Sequence, residues 1–168
     1  MAAPSLSESE LKFLRALARR QVRFIIVGLS AAALQGAPVV TQDVDLWFED
    51  LSDPRIREAL DEIGGAYVPP IEMNPPMFAG GGLELFDIVL RMDGLGKFAD
   101  EWTNCTEVSI GGAPLRVLLM ERILTSKRAT DRPKDRLVVP VLEDSVRAQR
   151  ETKKKHRPLP RKPRMNDL

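Results

Sequence analysis

The sequence predicts one α/β domain in which short strands are flanked by helices. Its 168 residues are enough for a single hydrophobic core and too few for two comfortable ones. Short apolar runs typical of strands, such as RFIIVG and ELFDIVLRM, alternate with segments whose apolar residues recur at helical spacing. We expect residues 1–146 to form this domain and residues 147–168 to follow it as a tail.

The first part of the chain predicts a helix, a strand and a second helix. SLSESELKFLRALARR begins with a capping box, Ser7 and Glu10, and continues with leucines at helical spacing. RFIIVG is a continuous apolar run ending in Gly28, which is typical of a central buried strand. SAAALQGA consists largely of small, helix-favouring residues and ends near Gly36. The chain is therefore expected to turn directly from strand to helix at Gly28.

TQDVDLWFED, residues 41–50, predicts a second strand that carries two aspartates. Side chains alternate along a strand, so Asp43 and Asp45 would point to the same face with backbone positions about 6.6–6.8 Å apart. Two such carboxylates repel each other unless solvent, a basic residue or a cation compensates. Taken alone, the pair favours a solvent-exposed edge strand over a metal site. SDPRIREALDEIGG then predicts a helix with Asp53 as its N-cap and Pro54 at its first position.

The second half of the chain predicts a loop, a third strand, a hairpin and helices. YVPPIEMNPPMFAGGG has four prolines and three glycines, so we expect a loop or a loosely paired ribbon. ELFDIVLRM is apolar enough to predict a strand buried on both faces, in which Asp87 needs a partner. GLGKFADEWTN predicts a short helix, and EVSIGGAPLRVL predicts a hairpin turning at Gly111-Gly112. LLMERILTSKRATDRPKDRLVVPVLED predicts two helices separated by a turn at Thr130–Arg132.

The charge of the chain is unevenly distributed. Residues 147–168 contain nine Lys/Arg and two Asp/Glu, which leaves sixteen and twenty-two for residues 1–146. The tail has almost no apolar residues, so we expect it to be disordered. A basic arm of this kind binds nucleic acid through the phosphates; a solubilising tail, or one that folds back on the acidic body, explains the same composition.

Composition also limits location and cysteine chemistry. No run approaches the roughly 20 apolar residues of a membrane span, and the first residues lack the features of a signal peptide, so we expect a cytoplasmic protein. The single cysteine, Cys105, excludes an internal disulfide and a cysteine zinc cluster. We expect a half-buried, passive thiol, because the one histidine, His156, lies in the tail.

Three carboxylates on neighbouring strands predict a cation site. Asp43, Asp45 and Asp87 form a hard oxygen donor set, which suits Mg²⁺ bound through few protein ligands together with substrate phosphates. The turn at Gly28 opens a helix whose N-terminal N–H groups favour an anion, although an ordinary tight turn explains this glycine equally well. Metal and phosphate are therefore expected to share one site.

These segments resemble the nucleotidyltransferase-like proteins of the polymerase-beta type, in particular the small bacterial ones of toxin–antitoxin and abortive-infection systems. FIIVGLSAAALQGAPVVTQDVDLWFED is similar to the family's strand, glycine turn, helix and Thr-x-Asp-x-Asp. FDIVLRMDG is similar to its third-carboxylate strand, and LTSKRATDRPKD to a Lys/Arg-rich stretch of several subfamilies. The resemblance spans about residues 20–145 and implies the nucleotidyltransferase-type short, mixed, twisted sheet flanked by helices.

The resemblance also implies an activity. In that family a hydroxyl attacks the α-phosphate of an NTP and pyrophosphate leaves, with two metal ions held by carboxylates. Asp43, Asp45 and Asp87 would bind the two ions, Mg²⁺ or Mn²⁺, and Asp87 would assist deprotonation of the attacking hydroxyl. The acceptor would be an RNA, a protein or a small molecule.

Further roles follow for phosphate contacts. By the same resemblance, Gly28 would contact the triphosphate through its backbone N–H and Ser30 through its hydroxyl. A cluster of basic residues would neutralise the charge that develops on pyrophosphate; it comprises Lys127, Arg132 and Lys134. For these three, solvated cations that complement the dipole of a helix end are the alternative.

Two hypotheses for the function therefore stand. One is transfer of a nucleoside monophosphate; the other is a non-catalytic interaction protein, such as the antitoxin-like partner in a two-component module. Leu29 stands where the family usually has a second glycine, and Val39 and Val40 where many relatives have an arginine, which favours the second hypothesis. The complete set of three aspartates favours the first.

Overall fold

The computed structural model describes residues 5–158, which fold into a mixed sheet, a separate two-stranded ribbon and surrounding helices. The helices are α1 (Glu8–Arg19), α2 (Gly28–Leu34), α3 (Pro54–Asp61), α4 (Phe98–Glu101), α5 (Met120–Thr130) and α6 (Pro133–Lys155). The strands are β1 (Phe24–Val27), β2 (Val44–Phe48), β3 (Gly65–Val68), β4 (Met77–Gly80), β5 (Phe86–Val89), β6 (Cys105–Ile110) and β7 (Ala113–Leu118).

The main sheet is mixed and has the strand order β5-β2-β1-β7-β6. Strand β1 is antiparallel to β2 and parallel to β7, β2 is parallel to β5, and β6 and β7 form a hairpin. The hairpin turns at Gly111 and Gly112, both at positive φ, as a two-residue turn requires. The predicted α/β domain with a mixed sheet flanked by helices is confirmed.

One prediction about this sheet is wrong. The apolar run around Asp87 predicted a strand buried on both faces, yet β5 is an edge strand paired only with β2. Phe86 is buried in the core, Ile88 and Val89 are half-buried, and Asp87 is exposed. The apolar residues of this strand therefore contact two different surroundings, the core on one side and an open cavity on the other.

Helix α1 covers the sheet with an apolar face. Ser7 and Glu10 form the predicted capping box: the Glu10 N–H donates to the Ser7 hydroxyl at 3.3 Å, and the Ser7 N–H donates to the Glu10 carboxylate at 2.6 Å. Phe13, Leu14 and Leu17 follow at helical spacing and are fully buried. The first helix thus begins and packs as the sequence predicted.

The Pro- and Gly-rich segment forms the ribbon β3–β4, one of the two structures predicted for it. Residues 69–76 connect the two strands, which pair antiparallel. Phe78 of β4 is 2% exposed and attaches the ribbon to the core, with its ring edge-on to Phe13 at 5.2 Å and to Phe48 at 5.8 Å. The ribbon is therefore held to the core through β4, while the connecting residues 69–76 lie beside a cavity.

The last helix is longer than the sequence predicted. Residues 147–155, predicted as the start of a disordered tail, continue α6 without a break. Leu142 and Val146 of α6 are buried and anchor the helix to the core. Adding a residue to an existing helix is easier than starting one, because one hydrogen bond is gained for each residue that is fixed. Arg, Gln, Glu and Lys have high helix propensity, so they prolong α6. Residues 159–168 of the predicted tail lie outside the described residues. Among helices in the described range, none is both long and apolar enough to cross a membrane.

Candidate active site

The structure brings two of the predicted carboxylates into direct register. Asp45 of β2 lies opposite Asp87 of β5, and neighbouring strands are about 4.8 Å apart. On its other side Asp45 pairs with Val27, the last residue of β1. Asp43 precedes β2 by one residue, close enough to influence both other carboxylates electrostatically. The three aspartates therefore lie where β1 ends and β2 and β5 begin.

Gly28 allows α2 to begin directly against Asp45. Its φ is +67°, a left-handed conformation that glycine adopts without strain. A Cβ built on Gly28 would overlap the Asp45 carboxylate. Any side chain here would displace that carboxylate, so the glycine is required by close approach as well as by backbone conformation.

Ser30 positions Asp45 from behind. Its hydroxyl donates to the Val27 carbonyl at 2.8 Å and accepts from the Asp45 N–H at 3.3 Å, and the residue is fully buried. Both hydrogen bonds of this hydroxyl are made inside the fold, and its contact with phosphate stays a prediction. Ser30 links β1, α2 and β2 at the point where the carboxylates meet.

The negative charge of the site is compensated only in part. Burial, and then the neighbouring Asp87, raises the pKa of Asp45 to about 6; Asp43 adds to this rise, while Lys127 and Lys134 oppose it. Burial, followed by Asp43, also raises the pKa of Asp87. Among the described residues, no hydrogen bond to the Asp45 carboxylate is found. A bound cation would relieve this repulsion.

The donor chemistry fits a hard divalent cation, although the protein alone does not complete a site. Within residues 5–158, no three Asp, Glu, His or Cys side chains are arranged closely enough to hold a metal ion. Carboxylate oxygens without protein donors are nevertheless suitable ligands for Mg²⁺, which keeps several waters and shares substrate phosphates. Asp43, Asp45 and Asp87 are the residues that would hold it.

The predicted basic cluster lies at the turn between α5 and α6, and two of its members are paired. Asp135 is 1% exposed and accepts from Lys127 at 3.2 Å and from Arg132 at 2.8 Å. Although burial alone would raise the pKa of Asp135, hydrogen bonds from these two cations hold it at about 2. Lys134 is exposed. Both lysines act on Asp45 electrostatically, so the cluster faces the carboxylates.

Sequence reasoning missed Asp135 as part of this site. The residue ends the segment LTSKRATDRPKD and stands three residues after Arg132. Its carboxylate accepts a hydrogen bond from the Arg132 backbone N–H at 3.2 Å. An acidic residue three positions after the residue that caps a helix is the sequence signal by which Asp135 could have been found. Asp135 holds Lys127 and Arg132 in place between α5 and α6.

Cys105 takes no part in the site. Its thiol is half-buried and lies 3.3 Å from the Glu101 carbonyl oxygen. Burial raises the pKa of the thiol to about 11, so the nucleophilic thiolate is scarce at neutral pH. The half-buried position predicted for this thiol is confirmed.

Comparison with known proteins gives similarity at the level of the fold. No protein-family model matches the chain, and no curated protein matches it in sequence. The solved structures that are similar to it include the following three. A crystal structure of ANT(2'')-Ia in complex with adenylyl-2''-tobramycin has a TM-score of 0.54 and 19% identity, covering 83% of this chain and 88% of that chain.

A solution structure of the antibiotic-resistance factor ANT(2'')-Ia has a TM-score of 0.52 and 21% identity, covering 89% of this chain and 96% of the other. An antigenic nucleotidyltransferase-like protein from Paracoccidioides brasiliensis has a TM-score of 0.53 and 17% identity, covering 85% and 78%. At these identities the similarity concerns the fold. The chain has the polymerase-beta-type nucleotidyltransferase fold.

Proposed function

We propose that this protein transfers a nucleoside monophosphate from an NTP to a hydroxyl acceptor, with Mg²⁺ or Mn²⁺ as cofactor. The observation that carries the proposal is the register of Asp45 against Asp87, beside the glycine turn that opens α2. Two neighbouring carboxylates with raised pKa values destabilise a fold that binds no cation beside them. We further propose that the protein is cytoplasmic, where NTP is available.

The proposed reaction is an in-line displacement at the α-phosphorus. A bond forms between the acceptor oxygen and this phosphorus, the bond to the oxygen that bridges to the β-phosphate breaks, and pyrophosphate leaves. The acceptor's proton passes to Asp87, which is exposed and therefore accessible to the acceptor's hydroxyl. Two divalent ions bound by Asp43, Asp45 and Asp87 would supply charge neutralisation at the reacting phosphate.

The triphosphate is proposed to lie between the carboxylates and the α5–α6 turn. The lysines of that turn act on Asp45 from this side, and Lys134 is exposed and so available for a phosphate. Lys127 donates one hydrogen bond to Asp135 and the Arg132 guanidinium donates two, and both side chains have further donors to offer. Gly28 would let the backbone approach the phosphates from the opposite side.

A second candidate function is that of a non-catalytic partner-binding protein, and two observations favour it. The three aspartates do not form a ready ion site within the described residues, and Lys127 and Arg132 are already engaged by Asp135. A role in a toxin–antitoxin or abortive-infection module, with a partner protein, rests on the sequence resemblance. A small helical protein encoded beside this chain would support such a module.

One transfer assay separates the two functions. The protein is incubated with each NTP labelled at the α-phosphate, with Mg²⁺ or Mn²⁺, and with tRNA, the protein itself or small hydroxyl compounds as acceptors. Wild-type protein is compared with Asp43→Asn and Asp87→Asn, and with Asp61→Asn on the exposed face of α3 as the matched control. We expect label transfer that is lost in both site variants and kept in the control. Absence of both transfer and metal-dependent NTP binding would refute the proposed function.

A further inference from the structure

A cavity of about 690 Å³ lies beside the carboxylate pair. Strand β5 forms one wall with Ile88 and Val89, and the ribbon forms the other with Val68, Ile71 and Met77. Asp45 and Asp87 belong to the same lining. A molecule bound in this cavity therefore adjoins the carboxylate to which the acceptor's proton is proposed to pass.

The lining of this cavity is apolar apart from three residues. Asp45 and Asp87 are its charged residues, Asn74 is its neutral polar residue, and the rest are apolar. Within the described part of the chain, no lysine or arginine lines the cavity. The cations that face Asp45 lie instead at the α5–α6 turn, so the site has a basic side and a side that is apolar and acidic.

The ribbon wall is preformed and leaves apolar surface open. The backbones of Ile71 and Asn74 exchange two hydrogen bonds, of 3.2 and 2.9 Å, across the tip of the connection. Prolines on both sides of this tip restrict the backbone further; they are Pro69, Pro70, Pro75 and Pro76. Ile71 remains 58% exposed and Met77 52% exposed. A rigid cavity with exposed apolar residues is typical of a small-molecule site, and its volume falls in the usual range of about 300–1,000 Å³.

We infer that the acceptor is a small, hydroxyl-bearing molecule with an apolar body and no negative charge, bound in this cavity with its hydroxyl at Asp87. The inference rests on the proposed function and narrows its acceptor. An uncharged or cationic molecule gains apolar burial in this lining and needs no basic residue as a partner. A polynucleotide depends on basic residues that receive its phosphates, and within the described part of the chain the lining offers none.

Binding of matched probes to the protein tests this inference directly. Three compounds share a phenyl body and a hydroxyl and differ in charge: phenylalaninol is cationic, 3-phenyl-1-propanol is neutral and 3-phenyllactate is anionic. Backbone amide shifts of Ile71, Asn74 and Ile88 are followed by NMR during titration, and a hexaribonucleotide is the polyanionic probe. We expect the first two compounds to shift these amides, with phenyllactate binding at least about tenfold more weakly.

Two variants control for charge and position. Ile71→Lys places a cation in the lining at an exposed position and should abolish the preference against phenyllactate. Met73→Lys, at a residue that is 98% exposed and outside the lining, should leave it unchanged. Equal or tighter cavity binding of phenyllactate or the hexaribonucleotide, or no amide shift with any of the small probes, would overturn the inference.

The same titration keeps this inference distinct from the proposed function. Binding of NTP with Mg²⁺ is followed separately, through the amides of Gly28 and Lys127. If those amides do not respond while the cavity prefers uncharged and cationic probes, the proposed transfer is refuted and the cavity's preference stands as binding alone. If they respond while the cavity shows no preference, the acceptor inference fails and the transfer remains.

Discussion

Replacement of Asp45 by asparagine is expected to stabilise the protein while abolishing its function. Burial and the neighbouring Asp87 raise the pKa of Asp45 from 3.8 to about 6, so the fold disfavours the charged form. At about 1.36 kcal/mol per pH unit, this difference corresponds to at most about 3 kcal/mol of lost stability. An amide of the same shape carries no charge and removes that penalty.

The pH dependence of this gain follows from the direction of the pKa change. Because the folded-state pKa is raised, the penalty is absent below about pH 4, grows between about pH 4 and 6, and is complete above about pH 7. The Asp45→Asn variant should therefore exceed wild type by up to about 3 kcal/mol at pH 8 and by only about 1 kcal/mol at pH 4.5.

Urea unfolding of both proteins at the two pH values, in EDTA, measures these differences. Asp61→Asn, a change of the same kind on exposed α3, should alter stability by less than about 0.5 kcal/mol at either pH. A gain of equal size at pH 8 and pH 4.5, or a loss at pH 8, would show that burial and the neighbouring carboxylates do not disfavour the charged form of Asp45.

Three further predictions concern the residues around Asp45. Gly28→Ala should cost about 1–3 kcal/mol in thermal unfolding and weaken NTP binding, whereas Gly36→Ala, also at positive φ but with open space at Cβ, should leave NTP binding intact; equal binding by both would contradict the close-approach argument. Ser30→Ala leaves a buried carbonyl and N–H without their partner and should cost about 1–3 kcal/mol in urea unfolding, and unchanged stability would contradict its linking role. Asp135→Asn should cost about 2–4 kcal/mol by removing a buried charge from two cations; Asp131→Asn, in an exposed pair, should cost less than about 1 kcal/mol, and similar losses would refute the buried pairing.

The elements with local signals could be predicted from the sequence. The cap formed by Ser7 and Glu10 needs residues three apart, and the hairpin at Gly111-Gly112 needs two residues at positive φ, so both are determined by short segments. The aspartate set was also accessible, because strand alternation places Asp43 and Asp45 on one face and an apolar run makes Asp87 conspicuous.

The features that depend on long-range packing could not be predicted in the same way. The edge position of β5 follows from strand order, which the composition of one strand does not encode. The turn motif identifies Ser30 as a site residue but not the partner of its hydroxyl. The hydroxyl accepts from the Asp45 N–H because β2 pairs beside β1, fifteen residues later in the chain. The cavity beside Asp87 arises only when the ribbon packs through Phe78 against the core.

The location of Mn²⁺ in crystals grown with a non-hydrolysable NTP analogue tests the central claim most directly. Anomalous scattering identifies the ion without reference to any acceptor. We predict Mn²⁺ bound by Asp45 together with Asp43 or Asp87, in contact with the triphosphate, and no such ion in Asp45→Asn crystals. An analogue bound elsewhere, or Mn²⁺ absent from these aspartates while the nucleotide is present, would contradict the assignment of this site.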